Sequence, residues 1–459
     1  MASGESCWNS LPTVILVEVY SYLPKEDKIR ASSTCRHWRF ALYHPSFWQT
    51  VNFKAKTKDE NSLSRTRYLT DCFAKKLRNA IVSFDSMDPL CVEEAARVLE
   101  KISDNDHLKR LVLVPSHCRF ECPGRIDEQK QFFKKHLLKP VRMLIEHCRQ
   151  LEALSLGCSE ELTVYVGAFL DLLARHQACS LRYLGLASVK DDPDDYILLD
   201  LDPALFRSFQ TLQILSVDYD YVSDSMLAAL SEVGLLRFVI HVHGIEEAHP
   251  GTSNAAWTNF VHQNANCELR LTLIHSYEAV DILHSDILKP SMPLTHLKAF
   301  FCEQLNSGAL HRLSTWYARS LRSLWWVDSL GSAAAHCLVQ SSAHEQPDPL
   351  VMAAWRCSNL EEIILLGYKY YVDNLVAIAR LRGDTLKTLR IAAQDILYDV
   401  TEPSIIEELS LEFIQEVSEA LGTIWAPLPN SQLHDVIHNP TAGDSDEFIL
   451  PIVLKDQDP

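Results

Sequence analysis

The chain has 459 residues, of which 47% are hydrophobic and 22% charged, a balance typical of a globular protein with a large core. No run of about 18 apolar residues occurs, so the sequence predicts no transmembrane helix. It also predicts no secretory signal peptide, because the N-terminus lacks a charged stretch followed by an apolar one. The 13 cysteines show no tight pairing pattern, which predicts reduced thiols and a cytoplasmic or nuclear location.

Charge is distributed unevenly along the chain. Residues 1–80 carry 13 Lys and Arg against 7 Asp and Glu, whereas residues 81–459 carry 30 against 53. Binding to nucleic acid depends on Lys and Arg at the phosphates, so the acidic body argues against that class of partner. The surplus of carboxylates indicates either a solvated surface or a contact with a basic protein.

The segment from Leu11 to Trp48 predicts three short helices closed by a turn. Pro12 suits the first turn of a helix, where its missing N–H costs nothing. Apolar residues then recur at helical spacing until Pro24 ends the first helix, and two more helical stretches follow. A unit of fewer than about 50 residues cannot bury all of its apolar surface alone. We therefore expect the surplus to lie against another protein.

This segment, placed at residues 5–50, resembles the F-box, the adaptor-binding motif of substrate receptors in SCF ubiquitin ligases. Thr13 and Thr34 depart from the motif, which usually has an acid and a valine there. The resemblance implies binding to the Skp adaptor and, through it, to the cullin and RING subunits. The adaptor-binding residues that it implies are Leu11, Pro12, Ile15, Leu16, Val19, Leu23, Pro24, Cys35, Trp38 and Trp48. A generic three-helix bundle is the alternative interpretation.

After the F-box, residues 51–76 are polar and basic, with lysines at 54, 56 and 58. This composition predicts a connector between the F-box and the body of the chain.

From residue 77 the chain repeats the pattern Leu-x-x-Leu-x-Leu. Clear copies begin at Leu108, Leu151, Leu181, Leu212, Leu321, Leu360 and Leu386, and weaker ones lie near Leu77, Leu236, Leu269 and Leu294. The last two apolar positions alternate with the residue between them, as a short strand requires, and helical stretches lie between copies. The pattern predicts an α/β fold, a leucine-rich-repeat-like solenoid over residues 77–400.

The repeats are degenerate. Their spacing runs from roughly 24 to 43 residues, against about 20–29 in the standard repeat, and the usual Asn or Cys ladder is missing. A doubly wound α/β domain is the alternative, but no nucleotide-binding loop accompanies the recurring hexapeptide.

The stretches 287–294 and 348–389 resemble one particular member of the F-box family.

The C-terminal part predicts a cap and a tail. Residues 401–425 form an amphipathic pattern, typical of a helix that caps the open end of a solenoid. Residues 426–459 are acidic and spaced by prolines, which predicts a mostly irregular tail with an apolar patch at 448–454.

The sequence also predicts a substrate-binding surface. Residues that flank the last leucine of each repeat face the concave side of the sheet, and in the late repeats they become bulky and apolar. The candidate substrate-binding residues are Trp325, Val327, Ile364, Leu366 and Arg390. The alternative is that the capping helix or the tail covers this patch.

No motif of catalysis or nucleotide binding accompanies the repeats. G-x-S-x-G, G-x-G-x-x-G, G-x-x-x-x-G-K-[ST] and H-E-x-x-H are absent. The Cys and His residues of 117–136 lack the paired spacing of a zinc site, and residues 191–195 lack the Gly and Glu of a calcium loop. The sequence therefore predicts no metal site, no cofactor and no catalysis.

The function that the resemblance implies is substrate recognition within an SCF ligase. The chain would tether a protein substrate for ubiquitination and proteasomal degradation. Two alternatives remain open: a scaffold that binds the Skp adaptor without assembling a ligase, and an enzyme that carries an N-terminal recruiting motif.

Overall fold

The structure, a computed structural model, describes residues 8, 11–245, 249–329, 347–399, 403–439 and 443–458. The chain divides into a first unit, residues 1–114 and 121–153, and a second unit, residues 115–120 and 154–459. Residues 5–7 of the predicted F-box lie outside the described residues.

The first unit begins with three short helices and continues as alternating strands and helices. The initial helices are α1 (Thr13–Ser21), α2 (Lys25–Ser32) and α3 (Arg36–Leu42), followed by a 3-10 turn at Pro45–Trp48. The alternating part consists of β1 (Thr50–Ala55), α4 (Glu60–Phe73), β2 (Asn79–Phe84), α5 (Pro89–Ile102), β3 (Arg110–Pro115), α6 (Ile126–Phe133) and α7 (Lys139–His147). Its strands lie in the order β1-β2-β3, and β1 is parallel to β2.

A small aromatic core holds the three initial helices together. Tyr20 is fully buried, and Trp38 and Phe47 pack edge-on against its ring, with centroids 5.8 and 5.9 Å away. The Tyr20 hydroxyl also donates to the carbonyl oxygen of Trp38 at 3.0 Å. Cys35 caps α3, because its sulfur accepts the Trp38 N–H at 3.5 Å. The three predicted helices are therefore confirmed.

The structure differs from the predicted connector at residues 51–76, which instead form β1 and α4. Val51, Phe53 and Ala55 are buried and alternate with exposed residues, as in any strand with one face in a core. The lysines that suggested a connector lie at the exposed positions of this alternation or beyond the strand. The repeats therefore begin at residue 50, one strand earlier than predicted.

In the second unit, short parallel strands again alternate with helices. From the N-terminal end these are β4 (Ala153–Ser155), α8 (Glu160–Thr163), α9 (Val166–His176), β5 (Tyr183–Gly185), β6 (Ile214–Asp218), α10 (Asp224–Leu230), β7 (Arg237–Val242), α11 (Asn254–Gln263), β8 (Glu268–Ile274), α12 (Tyr277–Asp281), β9 (Leu294–Phe300), α13 (Ser307–Trp316) and β10 (Ser323–Val327). They continue as α14 (Pro349–Arg356), β11 (Glu362–Leu366), β12 (Tyr370–Tyr371), α15 (Val372–Arg382), β13 (Thr388–Ile391), β14 (Ile396–Leu397), α16 (Pro403–Leu421), α17 (Asp435–His438) and α18 (Ser445–Gln457).

The strand order confirms a solenoid-like arrangement. Strands β5 to β11 follow one another as parallel neighbours, β13 comes next, and β12 and β14 form a separate small pair. Each predicted copy of the leucine pattern leads into one of the strands. The helices α13 to α16 pack next to one another in chain order, as expected where each repeat contacts mainly its neighbours.

The helix α16 lies where the sequence predicts a capping helix. It packs beside α15, with Phe413 and Val417 buried. Trp425, which follows it, donates its indole N–H to the carbonyl oxygen of Leu389 at 2.7 Å. Residues 401–402 of the predicted segment lie outside the described residues.

The C-terminal tail is more ordered than predicted, because α18 is a 13-residue helix. Pro451 lies inside it, where a proline removes one backbone hydrogen bond and costs roughly 3 kcal/mol. Ile449, Leu450 and Val453 are almost completely buried, and each such side chain contributes roughly 1.5–3 kcal/mol. Burial thus outweighs the proline, whose presence had suggested an irregular chain.

Parallel register brings one row of side chains to the same face of the sheet. Because neighbours in register point the same way, the row runs through Asp218, His241, Thr272, Lys298, Trp325, Ile364 and Arg390. This row contains most of the predicted substrate-binding positions, and it also carries polar groups at its β6 end.

Gly367, just after β11, allows two backbone segments to approach closely. Its φ is +82°, and an added Cβ would lie 2.5 Å from the carbonyl oxygen of Asp328. We expect Gly367→Ala to lower the free energy of unfolding by roughly 3 kcal/mol, the upper end of backbone strain costs. Gly234 has a similar φ of +85° but no atom within 4 Å of its added Cβ, so Gly234→Ala should cost only about 1 kcal/mol. Urea unfolding of both variants measures the difference, and equal losses would contradict a close approach at Gly367.

Candidate functional site

The first candidate site is the α1 side of the three initial helices. Ile15 is 48% exposed, and Pro12 and Pro24 are also exposed. The structure places five further predicted adaptor-binding residues at half-buried positions: Leu11, Val19, Leu23, Cys35 and Trp38. Of these, Leu11, Leu23 and Trp38 pack against the core of Leu16, Tyr20 and Ala41 while keeping part of their surface open. An apolar surface of this kind is typical of a protein-binding face.

The sequence predicts that Leu16 and Trp48 contact the adaptor, but the structure buries both side chains within this unit. Leu16 is fully buried beneath the exposed side of α1. The Trp48 ring stacks on Phe73 with centroids 4.1 Å apart, and its indole N–H donates to the carbonyl oxygen of Leu42 at 2.6 Å. Both side chains therefore support the face from inside, because their apolar surface is already taken by this unit.

The second candidate site is the sheet face that α18 covers. We call it the α18 face, and the buried sheet residues that define it are Ile274, Phe300, Val327, Ile364 and Leu366. Phe448 of α18 packs edge-on against Phe300 and Phe301, with ring centroids 5.9 and 6.1 Å away. The apolar patch predicted at 448–454 thus lies against the late repeats in this structure.

The helix α18 covers four of the five predicted substrate-binding residues and leaves the fifth exposed. Val327, Ile364 and Leu366 are at most 5% exposed and Trp325 is half-buried, all in one cluster with α18. Arg390, at the end of the row, remains exposed. The late-repeat patch is therefore apolar, as the sequence predicts, but it already has an occupant from the same chain.

Charged residues fix the C-terminal end of α18 to the sheet. Asp456 accepts hydrogen bonds from Lys298 at 2.5 Å and Arg270 at 3.0 Å. The Lys298 ammonium also lies 4.4 Å from the ring centroid of Trp325, a cation–π contact. Burial lowers the pKa of Lys298, and the Asp456 carboxylate opposes that shift. Arg237 donates to the carbonyl oxygen of Asp458 at 2.6 Å, so three cations of the sheet engage this end.

Polar contacts also hold the start of α18. Asp446 accepts the Cys118 N–H at 2.6 Å, and burial raises the pKa of this carboxyl. The Ser445 hydroxyl lies 2.9 Å from Nε2 of His275. Because the two ends and the middle of α18 are all engaged, the helix has one defined position on the face.

A third group of interest lies at the β6 end of the row. Asp218, His241 and His243 are buried there, with one ligand atom of each within 4.8 Å of the others. The sequence prediction missed this group because Asp218 lies more than 20 residues before the His241-Val242-His243 stretch, and a His-x-His pair alone does not mark a site. The strand alternation that placed Trp325 on this face is the signal that would also have placed Asp218 and His241 there.

Comparisons with known proteins bear on both units. The F-box-like family matches residues 8–54. F-box only protein 33 of Homo sapiens is 25% identical over 462 residues, which cover 91% of this chain and 82% of that protein. F-box/LRR-repeat protein 21 of Ovis aries is 24% identical, covering 93% and 91%. The resemblance in residues 287–294 and 348–389 is to F-box only protein 33.

Among solved structures, an internalin from Listeria monocytogenes matches with a TM-score of 0.32 at 11% identity, covering 74% of this chain and 91% of that one. None of the helices in the described part of the chain has the length and hydropathy needed to cross a membrane.

The sequence comparisons show that the chain carries an F-box-like domain at its N-terminus and, over most of its length, is similar to F-box only protein 33 and F-box/LRR-repeat protein 21.

Proposed function

We propose that this protein is the substrate-recognition subunit of an SCF ubiquitin ligase. The observation that carries the proposal is the partly exposed apolar side of α1, which lies within the F-box-like segment. In this role Leu11, Pro12, Ile15, Val19 and Leu23 contact the Skp adaptor. The adaptor in turn recruits the cullin and RING subunits, and the complex works in the cytoplasm or the nucleus.

The protein performs no bond chemistry in this role. It raises the effective concentration of a substrate lysine near a ubiquitin-loaded conjugating enzyme, which is catalysis by proximity. A body of repeats suits this task, because such folds offer an extended binding surface.

The substrate platform in this proposal is the α18 face, and α18 acts as its gate. The platform residues Trp325, Val327, Ile364 and Leu366 become available when α18 leaves, while Arg390 stays accessible throughout. The supporting observation is that the helix is joined to the sheet by apolar side chains and by the ion pairs of Asp456, and another segment with the same groups could replace both.

The charges on the platform favour an acidic segment as the replacement. Lys298 would lose its ion-pair partner once Asp456 withdraws, and Arg270 would keep only Glu268, at 3.6 Å. A buried charge without a partner is costly. The basic partner suggested by the net charge of the chain would therefore have to contact the acidic surface elsewhere. An apolar segment with an Asp or Glu at one end fits the platform itself.

Co-purification from cells separates the receptor role from the scaffold role. The full chain, recovered under proteasome inhibition, is expected to bring down both the Skp adaptor and a cullin. The Leu90→Ala variant, altered at an exposed apolar residue outside the F-box-like segment, should recover the same two proteins. Recovery of the adaptor without any cullin would favour the scaffold instead.

A further inference from the structure

The group at the ends of β6 and β7 has the composition of a metal site. Asp218, His241 and His243 are each at most 1% exposed, and one oxygen or nitrogen of each lies within 4.8 Å of the others. Oδ1 of Asp218 is 3.6 Å from Nε2 of His243, slightly too far for a good hydrogen bond. Three ligand atoms thus surround a small space without bonding to one another.

The hydrogen bond of His241 determines which of its nitrogens is free. Its Nδ1 lies 2.7 Å from the carbonyl oxygen of Ser188. A carbonyl can only accept, so Nδ1 carries the proton and Nε2 keeps its lone pair. That Nε2 is buried and has no hydrogen-bond partner among the described residues. A bond from the second ring nitrogen to a backbone carbonyl is the usual way in which proteins orient a metal-binding histidine.

His243 also offers ring nitrogens for a metal ion. Both of its ring nitrogens are buried and have no hydrogen-bond partner within the described ranges. Buried polar atoms are nearly always satisfied in folded proteins, so unsatisfied nitrogens on two adjacent histidines point to a missing ligand.

The carboxylate is held in place by Ser188. Oδ1 of Asp218 accepts the Ser188 N–H at 2.7 Å, and Oδ2 accepts the Ser188 hydroxyl at 2.6 Å. Ser188 therefore orients both Asp218 and His241, which gives the two ligands a shared support. Hydrogen bonds to ligating carboxylates of this kind are part of known metal sites.

We propose that Asp218, His241 and His243 bind a zinc ion through Oδ1, Nε2 and Nε2 respectively. Two imidazoles and one carboxylate are a zinc ligand set, whereas magnesium and calcium prefer oxygen ligands alone. Zinc holds nitrogen and oxygen ligands at roughly 2.0–2.2 Å, so the three side chains would move closer together on binding. The fourth position of the tetrahedron is left for water.

Lys190 is the competitor of zinc at this site. Its ammonium is buried, 3.6 Å from Oδ2 of Asp218 and 4.7 Å from the ring centroid of Tyr196. It supplies the positive charge that Asp218 needs when no metal is bound. Zinc binding must overcome the repulsion of this ammonium, so removal of the Lys190 charge should strengthen binding.

The test uses the purified full chain, stripped with a chelator and titrated with zinc alone. Elemental mass spectrometry measures the zinc that each chain retains. We expect the wild type to retain one more zinc ion per chain than the His243→Ala variant. His262→Ala, which removes an exposed histidine of α11, should bind as the wild type does and thereby controls for surface sites. Lys190→Met should bind zinc at least about tenfold more tightly, and zinc should raise its melting temperature.

The Lys190→Met variant keeps the proposal testable even if His243→Ala fails to fold. Equal zinc content in the wild type and His243→Ala would overturn the proposal. So would unchanged or weaker binding by Lys190→Met. Either result would mean that Lys190 already completes the site and that the histidine nitrogens are satisfied by water.

Discussion

Replacing Pro12 and Ile15 together by alanine is expected to weaken binding to the Skp adaptor by at least about a hundredfold. A large aliphatic side chain contributes roughly 1.5–3 kcal/mol when it is buried on binding, and tenfold in affinity corresponds to about 1.4 kcal/mol. Because Pro12 is exposed and Ile15 is 48% exposed, the variant should remain folded. Isothermal titration of the adaptor into each purified chain measures the effect.

The matched control for this experiment is Leu90→Ala. Leu90 is 63% exposed on α5, in the same unit but outside the F-box-like segment. Its replacement removes a similar apolar surface and should leave adaptor affinity unchanged. A Pro12 and Ile15 variant that binds adaptor as tightly as the wild type would show that the α1 side is not the adaptor face.

Asp456→Lys is expected to detach α18 from the sheet. Asp456 is 6% exposed and lies between Lys298 and Arg270, so the change would place three cations together at a largely buried position. Removing one partner from a buried ion pair typically costs about 3–5 kcal/mol, and reversing its charge costs more. Hydrogen exchange should then show residues 445–457 losing their protection while the strands β8 to β11 keep theirs. The same variant should capture more substrate, because the platform is open.

Lys455→Glu serves as the control, since it reverses the charge of an exposed neighbour on the same helix. Protection of α18 should be unchanged in that variant. If Asp456→Lys instead unfolds the whole second unit, then α18 is a permanent part of the core, and the gated platform is wrong.

The parts of the fold that could be predicted are those with a local pattern. Each Leu-x-x-Leu-x-Leu copy marks a strand because the two alternating leucines must face one core. The three N-terminal helices likewise follow from helical spacing between prolines. At β1 the same alternation is present, but Lys54 within the strand and Lys56 just after it obscured the pattern, although a solvated strand face tolerates a lysine.

The parts that could not be predicted depend on contacts between distant residues. Pro451 disfavours a helix locally, and only the fit of Ile449, Leu450 and Val453 to the sheet explains why α18 forms. Leu16 and Trp48 belong to an apolar pattern whose inner and outer members look alike in sequence. Asp218 and His241 are brought together by the parallel pairing of β6 and β7, which no spacing along the chain encodes.

Proximity labelling is the most direct test of the central claim that this protein delivers bound substrates for degradation. The wild type and the Pro12 and Ile15 variant would each be compared with and without proteasome inhibition. We expect a set of labelled proteins that increases on inhibition with the wild type but is already high with the variant, which binds substrate without recruiting a ligase. A labelled set that is identical in all four conditions would contradict the receptor function.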